Sequence, residues 1–119
     1  MIFSKVTEAE ILKNLGFSEL NNMQLATIAA AKKHAEMLLL APTGSGKTVA
    51  YILSILSRMS EKPGVQLLIL VPTRELALQI ESVLKQMKLS WKVNASYGGH
   101  PFSVERKNFI HPPEILVGT

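Results

Sequence analysis

Ala41-Pro42-Thr43-Gly44-Ser45-Gly46-Lys47-Thr48 is the stretch of this sequence whose residue types and spacing point most directly to chemistry. Apart from Ala41 in place of a first glycine, it follows the pattern Gly-x-x-x-x-Gly-Lys-Ser/Thr, which joins a strand to a helix and wraps a phosphate. Gly44 and Gly46 let the backbone fold closely round an anion. The N–H groups of residues 44–48 converge at a helix N-terminus, where negative charge is favoured. Lys47 can reach the β and γ phosphates as a point charge. The Thr48 hydroxyl can ligate Mg²⁺. The chemistry implied is nucleoside triphosphate binding, with Lys47 and Thr48 as the catalytic pair and Thr43, Gly44, Ser45 and Gly46 completing the cradle. The loop alone does not select a base.

The elements that must position this loop are legible in the apolar pattern. Thr7 and Glu10 fit a capping box, Val6 and Ile11 a hydrophobic staple, and Gly16 a C-terminal cap, which together bound a first helix. A second helix is expected from Asn22 to about Lys33 on the spacing of Met23, Ala26, Ala30 and Lys33. Met37 to Ala41 is continuously apolar and reads as a strand buried on both faces. A helix from about Lys47 to Met59 follows the loop, and Pro63-Gly64 marks a turn. Leu67 to Val71 reads as a second buried strand, and Arg74 to Met87 as a helix. Trp91 to Ser96 reads as a third strand with Trp91 in the core, Ser103 to Phe109 as a short helix, and Glu114 to Val117 as a fourth strand. Helices alternating with strands signal a parallel α/β sheet. In such sheets ligands bind beyond the carboxyl ends of the strands. Pro42 to Gly46, Pro72-Thr73 and Gly98-Gly99 should therefore share one sheet edge.

Composition narrows the class. The chain has 119 residues, 47% hydrophobic and 18% charged, which suits one ordinary globular domain rather than a disordered segment. Thirteen Lys and Arg against nine acidic residues give a net charge of +4, compatible with an anionic partner. The absence of cysteine excludes a disulfide framework and any thiolate metal site. His34, His100 and His111 have no metal-like spacing. No apolar run is long enough to span a bilayer, and the first residues do not form a secretory signal. The expectation is a soluble, cytoplasmic protein with no membrane partner.

Three further segments stand in a fixed order around the phosphate loop. Gly16-Phe17, with Met23-Gln24 downstream, precedes it. Pro72-Thr73-Arg74-Glu75-Leu76-Ala77 follows the second strand, and Gly98-Gly99 the third. Together the four segments resemble the DEAD-box ATP-dependent RNA helicases, from about Thr7 to Thr119. The resemblance implies a three-layer P-loop NTPase (RecA-like) α/β fold with a parallel sheet, here truncated. It also implies ATP and Mg²⁺ as cofactors and RNA as the partner, held through its backbone with little sequence preference.

Residue by residue, the resemblance makes Gln24 the adenine reader; its amide can meet N7 and the N6 amino group together. Phe17 is either a base contact or a core residue beside Gly16. Pro72, Thr73, Arg74, Gly98, Gly99 and Thr119 become RNA contacts. Two departures stand out. Leu20-Asn21 replace the family's Pro-Thr, and the upstream aromatic that stacks on adenine has no counterpart at the family's spacing, Phe3 being the nearest.

The sequence contains no Asp-Glu-Ala-Asp segment, no Ser-Ala-Thr segment and no second domain. The reading that follows is the N-terminal part of the first RecA-like domain, residues 1–119. It is expected to bind nucleotide but hydrolyse it negligibly, while its parent couples ATP hydrolysis to RNA unwinding or ribonucleoprotein remodelling. Strands that would flank Met37 to Leu40 lie, by the same resemblance, later in the chain, so exposure of that segment and self-association are expected. A P-loop helicase or ATPase acting on DNA and a non-catalytic nucleotide-binding module are the alternatives.

Overall fold

Local signals set the helices. In the computed structural model, which describes residues 2–3, 6–99, 103, 106–107 and 109–119, the chain opens with a small antiparallel hairpin, β1 (Ile2–Phe3) and β2 (Val6–Thr7), that the apolar pattern did not announce. Helix α1 (Glu8–Leu15) starts where Thr7 accepts a hydrogen bond from the Glu10 N–H. It stops at Gly16, whose φ of +84° admits the left-handed turn. The Phe17 and Gly16 N–H groups close on the Leu12 and Lys13 carbonyls, a Schellman ending. Helix α2 (Asn22–Lys33) is capped by Asn21, and α4 (Arg74–Gln86) by Thr73, each accepting from a backbone N–H in the first turn. Helix α3 (Lys47–Leu56) begins at the phosphate loop and ends earlier than Met59, in two tight turns over Ile55 and Leu56.

The sheet has three parallel strands in the order β3 (Leu67–Leu70), β5 (Ile115–Gly118), β4 (Val93–Ser96). Its register aligns Leu70, Gly118 and Ser96 at the carboxyl end. The residues that follow these three strands therefore emerge side by side on one edge, as expected for Pro72-Thr73 and Gly98-Gly99, whereas Pro42 to Gly46 follows no described strand of this sheet.

One face of the sheet carries the core. Leu67, Ile69, Val93, Ile115 and Val117 pack with Ile11, Ile28, Ile52, Leu53, Ile80, Leu84 and Met87, so all four helices contribute. Trp91 is buried there as expected, its indole N–H donating to the Ser60 carbonyl at 3.0 Å. Gln66 braces the same end: its side chain accepts from the Ser60 N–H and donates to the Ser60 and Lys62 carbonyls.

Two expectations are corrected. Met37 to Ala41 is not a strand buried on both faces. It forms no ladder among the described residues, and Leu38 and Leu40 are 81% and 82% exposed. Leu67 to Val71 is not buried throughout either, because Leu68 and Leu70 point to the uncovered face. The cause is shared: an apolar run is buried only where something packs on it, and no described element pairs with Met37 to Ala41 or with the free edge of β3. The helix expected over Ser103 to Phe109 lies partly outside the described residues; of those described, Ser103, Arg106 and Lys107 are helical and Phe109 lies in a turn. No helix among the described residues is long and apolar enough to cross a membrane.

The contrast gives a direct test. Leu53→Ala, at a fully buried site, should cost about 2–5 kcal/mol of stability. Leu38→Ala should stay within about 0.5 kcal/mol, as exposed substitutions do. Denaturant titration of both variants measures the difference.

Candidate functional site

The phosphate loop is built from its own backbone and held from outside by α2. Within the loop, Ser45 donates to the Pro42 carbonyl twice, from its N–H at 3.2 Å and from Oγ at 2.6 Å. Lys47 Nζ turns back to the Ala41 carbonyl at 2.5 Å. Gly44 and Gly46 both have positive φ, +80° and +91°. From α2, the Asn21 side chain donates Nδ2–H to the Ser45 carbonyl at 3.0 Å, and Gln24 donates Nε2–H to the Gly46 carbonyl at 3.1 Å. A Cβ on Gly46 would lie 2.5 Å from Gln24 Nε2, whereas one on Gly44 would meet nothing within 4 Å. Gly46 is thus required twice, for its φ and for the approach of α2.

Asn21 and Gln24 also complete a reciprocal capping box. The Gln24 N–H donates to Asn21 Oδ1 and the Asn21 N–H to Gln24 Oε1, each at 2.9 Å. Gln24 is buried, yet its amide is not exhausted: one Nε2 hydrogen and one Oε1 lone pair remain.

Helix α3 begins at Gly46 without a side-chain cap and carries no acidic residue in its first turn. Its first N–H groups are left for an anion. Beside it runs a cleft of about 850 Å³ lined by Thr43, Gly44, Lys47 and Thr48 on one wall and by Leu67 to Pro72 along β3 on the other. Tyr51, one turn after Thr48, also lines it. Burial pushes the Tyr51 hydroxyl above its usual range, against a smaller downward pull from Thr48, so it stays protonated at neutral pH.

The second group of sequence-derived residues meets at the carboxyl edge of the sheet. Pro72 and Thr73 follow β3, and Arg74 opens α4. Tyr97, Gly98 and Gly99 follow β4. Thr119 follows β5, its N–H donating to the Ser96 carbonyl at 3.3 Å. The Arg74 guanidinium lies over the Tyr97 ring at 5.1 Å, and a Cβ on Gly99 would come 4.0 Å from Arg74 Nη1. Arg74 forms no ion pair among the described residues; the salt bridge there joins Lys85 and Glu81.

Phe17 is brought to neither group. It is 51% exposed at the end of α1, so the core alternative for it is corrected. Gly16 turns the chain outward there, and nothing among the described residues closes over the ring. The side chain of Phe3 lies outside the described residues. Sequence reasoning missed Asn21, although Asn-x-x-Gln ahead of a helix is a capping-box pattern. It also missed Tyr51, which the three-residue spacing from Thr48 on one helix face could have flagged.

The profile of the DEAD/DEAH box helicases matches residues 21–119. The chain belongs to this family. It is 37% identical over 121 residues to the Neurospora crassa pre-mRNA-splicing ATP-dependent RNA helicase prp-28, an alignment covering 92% of this chain and 17% of that protein. Among solved structures, the RNA helicase Prp28 from Chaetomium thermophilum bound to ADP matches with a TM-score of 0.80 and 35% identity, over 92% of this chain and 29% of that one. A hypothetical ATP-dependent RNA helicase from Sulfolobus tokodaii matches with a TM-score of 0.77 and 30% identity, over 95% of this chain and 34% of that one. The RecA-like α/β architecture is thus shared, and the chain spans about a sixth to a third of the length of these relatives.

The two glycines separate strain from contact. Gly44→Ala should cost about 1–2 kcal/mol, the penalty of left-handed backbone. Gly46→Ala should add about 0.5–1.5 kcal/mol, because the added methyl displaces the Gln24 amide from the Gly46 carbonyl. Equal losses for the two variants in denaturant titration would show that α2 does not press on the loop.

Proposed function

We propose that this chain forms the ATP-binding part of the first RecA-like domain of an RNA helicase. The observation that carries the reading is the junction of α2 with the phosphate loop. Gln24 grips Gly46 through one amide hydrogen and keeps a hydrogen and a lone pair for adenine, next to an uncapped helix N-terminus suited to phosphate. The ADP bound to the Chaetomium relative supports the same ligand class. In this reading Thr43 to Thr48 hold the phosphates, and Lys47 leaves the Ala41 carbonyl to meet them. The Thr48 hydroxyl would ligate Mg²⁺. That ion supplies charge neutralisation to the phosphates when bound. Gln24 and Asn21 hold the loop, and the α3 N-terminus orients the negative charge. Among the described residues, no carboxylate lines the cleft. The reading therefore assigns this 119-residue chain binding with negligible turnover.

The carboxyl edge is proposed as the RNA surface. Pro72, Thr73, Arg74, Gly98, Gly99 and Thr119 offer backbone N–H groups, a guanidinium and close backbone approach, which suit a phosphate chain rather than base edges. Binding there should weaken with salt. The names of the relatives, RNA helicases, support RNA over DNA.

Calorimetric titration with Mg·ADP and Mg·GDP tests the nucleotide assignment. ADP should bind saturably and more tightly than GDP. Gln24→Ala should remove about 1–3 kcal/mol of that preference. Equal affinities in the parent chain would remove Gln24 as the adenine reader while leaving the loop a phosphate site.

Self-association is a further part of the proposal, supported by Leu38 and Leu40 exposed on an unpaired segment and by the free edge of β3. Sedimentation equilibrium should show concentration-dependent association that Leu38→Lys with Leu40→Lys reduces. A monomer at every concentration would remove it.

A further inference from the structure

Arg74 occupies an awkward position for a cation. It is the first residue of a 13-residue helix, where the backbone dipole disfavours positive charge. It is exposed and has no ion-pair partner among the described residues. What it has is the half-buried Tyr97 ring, on a different loop at the end of a non-adjacent strand, 5.1 Å from the guanidinium carbon. The electron-rich face of an aromatic ring attracts a cation.

The two ways of holding an arginine have different chemical consequences. A carboxylate would occupy the in-plane N–H donors. A ring under the guanidinium occupies its face and leaves the fork of donors free. Around that fork the backbone is open. A Cβ at Gly98 would meet nothing within 4 Å, and Gly99, at φ +84°, brings the chain past Nη1 without a side chain.

We infer that Tyr97 is the positioning residue for Arg74. Its ring fixes the guanidinium at the carboxyl edge with the donor fork presented to a phosphate of the bound nucleic-acid backbone. Tyr97 acts on that phosphate only through Arg74. The inference rests on the RNA reading of this edge, and its test separates the two.

The experiment has two arms on the 119-residue chain and its variants. Nuclear magnetic resonance reads the geometry without any ligand. The Arg74 side-chain protons should be shifted upfield by the ring current in the parent and in Tyr97→Phe, and should lose that shift in Tyr97→Leu. An unshifted Arg74 in the parent overturns the inference. Fluorescence anisotropy with a labelled single-stranded oligouridine at low salt reads the consequence. Tyr97→Leu should weaken binding about two- to five-fold, the range of an exposed cation–π contact. Tyr97→Phe should bind as the parent does.

Arg74→Ala should weaken binding, and adding Tyr97→Leu to it should change nothing further. If Tyr97→Leu weakens binding by the same factor in the Arg74→Ala background, Tyr97 touches the RNA itself and the positioning role is wrong. If Arg74→Ala binds RNA as tightly as the parent, the RNA reading of the edge fails and the inference with it, whatever the resonance shifts show. Thermal melting of each variant confirms that the comparison is made between folded chains.

Discussion

The approach of α2 to Gly46 is the constraint on which the phosphate loop depends. The loop's internal bonds are few and local, from Ser45 to Pro42 and from Lys47 to Ala41. They fix a turn but not its place in the fold. That place is set by two amides on one helix start, Asn21 on the Ser45 carbonyl and Gln24 on the Gly46 carbonyl. The same two side chains terminate α2, so its first turn and the loop are ordered by one set of bonds. A glycine at 46 is the condition for this. A Cβ there would push the Gln24 amide off the Gly46 carbonyl and remove one of the two bonds that place the loop.

The carboxyl edge is governed by register instead. Three parallel strands aligned at Leu70, Gly118 and Ser96 deliver Arg74, Thr119 and Tyr97 to the same line of the surface, although they come from well-separated segments of the chain. No local propensity encodes that meeting. It follows from sheet order, in which β5, last in sequence, lies between β3 and β4.

These two modes explain what could be read from the sequence. Caps and helix spans were legible because their physics is local: Thr7, Gly16 and the phosphate loop each act within a few residues. The parallel α/β class was legible from alternation. The apolar run Met37 to Ala41 pointed by itself to burial, because such a run states only what a segment can cover; the exposure found for Leu38 and Leu40 was legible only from the strand order that the family resemblance implies. The Arg74–Tyr97 contact was not legible, since it joins two loops whose proximity depends on strand order. Asn21 was legible in principle: its position three residues before Gln24 is a cap pattern, obscured by reading it as a departure from Pro-Thr.

The four described helices show how a site can be left in a fold without weakening the fold elsewhere. Thr7, Asn21 and Thr73 each satisfy a first-turn N–H of α1, α2 and α4, contributions of about 1 kcal/mol apiece. Helix α3 alone starts at a glycine with no side-chain acceptor. It is also among the best-packed: Ala50, Ile52, Leu53 and Leu56 are essentially fully buried. Packing along its length stabilises α3 without a cap, so its N-terminal donors stay open and rigidly aimed. An anion that fills them completes a helix start that the chain leaves unfinished. It then stabilises the folded state, as any ligand specific to the native state does. That stabilisation grows with the logarithm of the anion's concentration relative to its dissociation constant, so an anion that binds this helix start tightly raises the stability of the whole fold.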